Sequence, residues 1–125
     1  MIGDDRAYCQ PCLSPVWDTG LAGHAMAEAG VPTGAACDWL RARQILDVAG
    51  DWSVRRQGLR PGGWAFQYEN PHYPDVDDTA VVGMLLHRNG DPAHADSIAR
   101  AREWIVGMQS GGGGKLDGGW GAFEP

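Results

Sequence analysis

Positive charge is scarce: ten Lys and Arg face sixteen Asp and Glu, a formal net charge of -6. A surface of that sign offers little to a phosphate backbone, which excludes nucleic acid as the expected partner. Long apolar runs are missing too. No stretch approaches the roughly 20 residues of a membrane span, and Met1-Ile2-Gly3-Asp4-Asp5 lacks the apolar centre of a signal peptide, so any membrane contact is expected to be peripheral. Cysteine is limited to three residues, an odd number that argues against a closed disulfide framework and fits a reducing compartment. Cys9-Gln10-Pro11-Cys12 has C-x-x-C spacing, but the remaining ligand candidates, Cys37 and His24, form no second close pair. Pro11 and Ser14-Pro15 delay the helix that a redox motif needs. Neither zinc nor thiol redox chemistry is expected.

What is present is an apolar share of 43%, enough to pack, with 19 Gly and 6 Trp. Strand signals are weak throughout, and helical periodicity with caps recurs four times. Ser14-Pro15 reads as N-cap and first helical residue, opening a helix that ends at Gly30. A second begins near Thr33 and fades before Gly50, carrying Ala36, Trp39, Leu40 and Arg43 on related turns. Residues 51–74 turn to Gly, Pro and aromatics around Pro61-Gly62-Gly63-Trp64, an irregular connection long enough to line a site. A third helix opens in Asp75-Val76-Asp77-Asp78-Thr79 and runs to Asn89-Gly90, and a fourth spans about Pro92 to Met108. The expected class is all-α.

The two halves repeat one another. Asp18-Thr19 returns as Asp78-Thr79, Trp39-Leu40-x-x-x-Gln44 as Trp104-Ile105-x-x-x-Gln109, and Gly62-Gly63-Trp64-Ala65-Phe66 loosely as Gly118-Gly119-Trp120-Gly121-Ala122-Phe123. Two helix-pair units follow, about 14–66 and 74–123 within a single partial domain of 1–125. Such units bury their faces on neighbours, so two alone expose apolar ends and are expected to belong to a longer chain.

The chemistry concentrates at Asp75-Val76-Asp77-Asp78-Thr79, where the third helix starts. One carboxylate there suffices as an N-cap. Three within four residues repel one another, and in a dry site at least one should hold its proton. Asp77, in the middle, is best placed to be flanked by the other two. An oxygen-ligand metal site is disfavoured, because there is no D-x-D-x-D-G loop, no second acidic cluster and no phosphate-cradling loop. Aromatics surround the acid in sequence instead: Trp17 one repeat earlier, and Phe66, Tyr68 and Tyr73 just upstream. Aromatic faces stabilise cations by roughly 0.5 to 2 kcal/mol each when desolvated. An acid beside such faces is suited to making a carbocation and sheltering it.

Ser14-Pro15-Val16-Trp17-Asp18-Thr19, Pro61-Gly62-Gly63-Trp64-Ala65-Phe66-Gln67-Tyr68 and Tyr73-Pro74-Asp75-Val76-Asp77-Asp78-Thr79-Ala80 closely resemble bacterial squalene-hopene cyclases, nearly end to end. Trp104-Ile105-Val106-Gly107-Met108-Gln109 and Gly119-Trp120 look like the Gln-Trp repeats of triterpene cyclases. The resemblance implies an α/α-barrel enzyme of the isomerase class that protonates a terminal alkene of squalene and guides polycyclisation to hopene or hopanol without metal or other cofactor. It implies Asp77 as proton donor, Asp75 and Asp78 as its carboxylate neighbours, and Trp17 and Phe66 beside the cation path. Gln44, Trp52, Gln109 and Trp120 resemble the repeat residues that tie helix ends together. It further implies peripheral contact with the cytoplasmic side of the cell membrane and a homodimer, and inactivity of this segment alone. The interval from Gln109 to Trp120 is longer than that pattern expects, and His24, His72, His87 and His94 match no partner of the acid; they read as surface or packing residues. Other readings are a class II diterpene or other triterpene cyclase, and a non-enzymatic helical-repeat binding module in which the Asp cluster is only a cap.

Overall fold

The computed structural model describes residues 2–3, 6–7, 14–66, 71–110 and 118–121. The Cys9/Cys12 motif, Gln67, Tyr68, the Gly111 to Gly114 run and Phe123 lie outside the described residues. Two short strands, β1 (Ile2–Gly3) and β2 (Arg6–Ala7), pair antiparallel ahead of the first helix. Four helices dominate the rest, and the class is all-α: α1 (Pro15–Glu28), α2 (Gly34–Arg41), α3 (Val76–Asn89) and α4 (Ala95–Gly107). Among the described residues, none is long and apolar enough to cross a membrane.

Local chemistry sets the ends. The Ser14 side chain accepts the Trp17 N–H at 2.9 Å, and Pro15 fills the first helical position, where its missing N–H is not needed. Gly30 closes α1 in the left-handed region (φ 72°), with Val31 N–H on Met26 O and Gly30 N–H on Ala27 O, the double bond of a Schellman stop. Helix α2 is shorter than its periodicity suggests. After Arg41 the chain is pulled off the helical path because Ile45 N–H donates to Gly63 O and the Gln44 amide donates to Gly62 O. Pro92–His94 form a single 3-10 turn that leads into α4.

Helices α1 and α3 lie side by side and parallel, since their contacts advance together: Gly20 on Val81, Gly23 on Leu85, Glu28 on Arg88. A Cβ at Gly23 would run into the Leu85 side chain, so glycine allows the close approach. Helix α2 packs on α1, and α4 on α3, behind this pair. The core between them holds Val16, Cys37, Leu40, Trp64, Val82, Leu85, Leu86 and Ala101. A second cluster, Trp52, Val76, Trp104 and Met108, sits under the start of α3, with Trp52 edge-on to Trp104 at 5.9 Å. Two-residue strands β3 (Trp64–Ala65) and β4 (Pro74–Asp75) pair antiparallel, Trp64 opposite Asp75, and so bring the Gly-Gly-Trp segment onto the acidic motif.

Candidate active site

The N-terminus of α3 divides the three carboxylates. Asp75 is the N-cap: it is buried, extended in backbone, and its Oδ1 accepts the Asp78 N–H at 2.7 Å. That meets the capping need with one residue and leaves two acids over. A helix turns about 100° per residue, so Asp77 and Asp78 cannot share a face. Asp78 turns into the protein and is 2% exposed, and its Oδ1 has no hydrogen-bond partner among the described residues; Asp77 is exposed. Burial first, then the hydrogen bond and charge of Asp75, then the charge of Asp77 push the Asp78 carboxyl up to about 8. Of the three acids, Asp78 is the one whose hold on a proton is raised by burial, whereas sequence order alone had singled out Asp77 as the flanked group.

The aromatic candidates are carried to the same end. Phe66 follows β3 directly, and the Ser14 hydroxyl donates to its carbonyl while accepting the Trp17 N–H, so one side chain joins the backbones of both residues. Trp17 and Phe66 are each half-buried, and Tyr73 is exposed. Among the described residues, no three His, Cys, Asp or Glu side chains converge as a metal set would.

Three of the four repeat residues, Gln44, Gln109 and Trp120, join element ends by hydrogen bonds, whereas Trp52 packs edge-on to Trp104 and its Nε1 has no hydrogen-bond partner among the described residues. Gln44 Nε2 donates to Gly62 O and Ser97 O, both at 2.9 Å, tying the end of α2 to the start of α4. Gln109 Nε2 donates to Gly118 O and Trp120 Nε1 to Ile105 O, both at 2.7 Å, which folds the chain after α4 back onto that helix. His94 is a packing residue: it is buried, and its Nδ1 accepts from Arg41 at 3.2 Å. His24 bridges the parallel helices by donating Nε2–H to Val81 O at 2.9 Å. Sequence reasoning passed over Thr79 and Trp64, whose side chains brace the motif. A hydroxyl four residues after an N-cap was the available signal for Thr79, because it can reach the carbonyl one turn back.

The sequence model described as the squalene-hopene cyclase C-terminal domain matches residues 13–125. The chain belongs to that family. It is 55% identical over 99% of its length to a squalene-hopene cyclase of Bradyrhizobium diazoefficiens, of which it covers 19%. To the Zymomonas mobilis enzyme it is 54% identical over 98% of its length, covering 19% of that relative. For the Alicyclobacillus acidocaldarius enzyme the figures are 48%, 92% and 18%. The chain thus spans about a fifth of the length of these relatives. The C-terminal domain of squalene-hopene cyclases has the α/α-barrel fold, into which helix pairs such as α1–α2 and α3–α4 fit.

Proposed function

We propose that this chain supplies the acid end of a squalene cyclase, with the stretches of about 14–66 and 74–123 as two helix-pair units of its barrel. Asp77 is the proton donor in this reading. Its O–H bond breaks as a C–H bond forms at a terminal alkene of squalene, and the tertiary cation left behind is attacked by the next double bond in turn. Loss of a proton at the far end gives hopene, and capture of water with loss of one of its protons gives hopanol. The first outcome conserves composition and makes the enzyme an isomerase. Asp75 and Asp78 are its carboxylate neighbours, and Trp17 and Phe66 shelter the cation with their faces, worth roughly 0.5 to 2 kcal/mol each in a dry site. No metal takes part in this mechanism. A squalene substrate is drawn from a lipid bilayer, which favours peripheral attachment of the whole enzyme to the cell membrane, and the proposal places that attachment on the cytoplasmic face.

One observation carries the reading: the start of α3 presents an outward acid, Asp77, beside a buried acid that keeps its proton, at the end where Trp17 and Phe66 are tied. The 125-residue chain alone is expected to be inactive, because a water-exposed carboxyl is too weak an acid for an alkene. Replacing the matched fifth of the Bradyrhizobium relative with this chain tests the proposal. Squalene consumption with hopene or hopanol by gas chromatography is expected; a folded chimera that leaves squalene intact would contradict it.

A further inference from the structure

Trp64 is fully buried, and its two N–H groups lead in different directions. The indole Nε1–H donates to the Leu40 carbonyl, in the last turn of α2, at 2.7 Å. The backbone N–H donates to Thr79 Oγ1 at 2.9 Å, and that hydroxyl in turn donates to the Asp75 carbonyl at 2.6 Å. Strand pairing sets Trp64 opposite Asp75 in the same register. The packing leaves little play, since a Cβ on the preceding Gly63 would lie 2.8 Å from Thr79 Oγ1. The first turn of α3 is thereby fixed against α2 through one indole ring and one hydroxyl.

The geometry points to Trp64 as the positioning residue of the acid cluster: acting through Thr79 and Asp75, it holds the first turn of α3 at the depth that keeps the Asp78 carboxyl dry and Asp77 facing out. Its relevance to catalysis rests on the reading of this cluster as a proton source. The physical route is short. Without the indole N–H, the Leu40 carbonyl keeps the Arg43 N–H at 2.9 Å, but the bond that ties the Trp64 ring to the end of α2 is gone, so that water enters beside the ring or the strand that carries it shifts. Either change hydrates Asp78, whose raised affinity for its proton comes first from desolvation. The charges acting on Asp78 are those of Asp75, the N-cap of its helix, and of Asp77 within it. From α1, His24 and Glu28 meet α3 further along, at Val81 and Arg88; Arg41 of α2 is engaged by His94, and Arg100 of α4 by Pro61 and Leu46.

The test follows the urea midpoint of the dilute 125-residue chain as pH is raised, and reads the pH at which its decline ends. The wild-type chain is expected to decline until about pH 8. Trp64→Phe, which keeps a buried ring but loses the donor, should end its decline about one pH unit or more lower. Thr79→Val should do the same, and Thr79→Ser, which restores the hydroxyl, should return the wild-type end point. Leu86→Val, which loosens the same core away from the motif, should lower the midpoint at every pH without moving the end point. If Trp64→Phe does not fold, Thr79→Val against Thr79→Ser decides. An end point unmoved by both Trp64→Phe and Thr79→Val, or a wild-type chain with no such decline, would overturn the proposal. No substrate is read here, so a chimera inert toward squalene would sink the function and leave this result standing.

Discussion

Asp78 ties its proton to folding. In the folded chain it keeps the proton up to about pH 8, whereas its ordinary value is 3.8, so between these limits the folded state binds more protons than the unfolded one. Stability is therefore full below the lower value and falls as pH rises toward the upper, by at most about 1.4 kcal/mol per pH unit. Asp78→Asn should stabilise the chain near neutral pH and flatten this decline, checked by urea unfolding at acidic and neutral pH; a variant as pH-dependent as the wild type would refute the assignment. That an acid cluster opens α3 was legible from the sequence, as was the need for one held proton. Which acid holds it was not read, because the reasoning followed position in the chain, whereas helical rotation turns Asp78 inward and Asp77 outward. Ser14 was legible as a cap, but its second bond, to the Phe66 carbonyl 52 residues away, is a product of the fold. Ser14→Ala should lower stability by about 1 kcal/mol for the cap alone.

At the level of elements, three helices begin and end near where caps, proline and glycine place them: Ser14-Pro15 and Gly30 for α1, Asp75 and Gly90 for α3, Pro92 ahead of α4. Helix α2 departs because its stop is a long-range event, the capture of Gln44 and Ile45 by Gly62 and Gly63, which no local signal announces. The parallel contact of α1 with α3 depends on space at Gly23. Gly23→Ala should destabilise the chain by about 1 to 3 kcal/mol through overpacking against Leu85. Gly34→Ala, at the start of α2 with open space around its Cβ, should instead stabilise it by up to about 1 kcal/mol. Thermal melts followed by circular dichroism compare the two, and equal effects would contradict the packing described.

Across the whole molecule, α1 and α3 turn Leu21 (46% exposed) and Met84 (62% exposed) away from the core, and Met84 lies two turns beyond Asp77 on the same stripe of α3. Exposed apolar side chains of this kind favour self-association. At high concentration the chain should elute from gel filtration ahead of a monomer, and Leu21→Lys with Met84→Lys should restore monomer elution without a large change in melting temperature. Monomer elution of the wild-type chain at every concentration would contradict that.

The central claim is that Asp77 gives the proton. In the chimera carrying this chain within the Bradyrhizobium relative, Asp77→Asn keeps size and hydrogen bonding but has no acidic proton to deliver to an alkene. Squalene incubated with the purified variant, with products read by gas chromatography, should remain unconverted while the unsubstituted chimera cyclises it, and the variant should fold as well as its parent. Conversion by Asp77→Asn at the rate of the parent chimera would contradict the account and pass the role to Asp75 or Asp78.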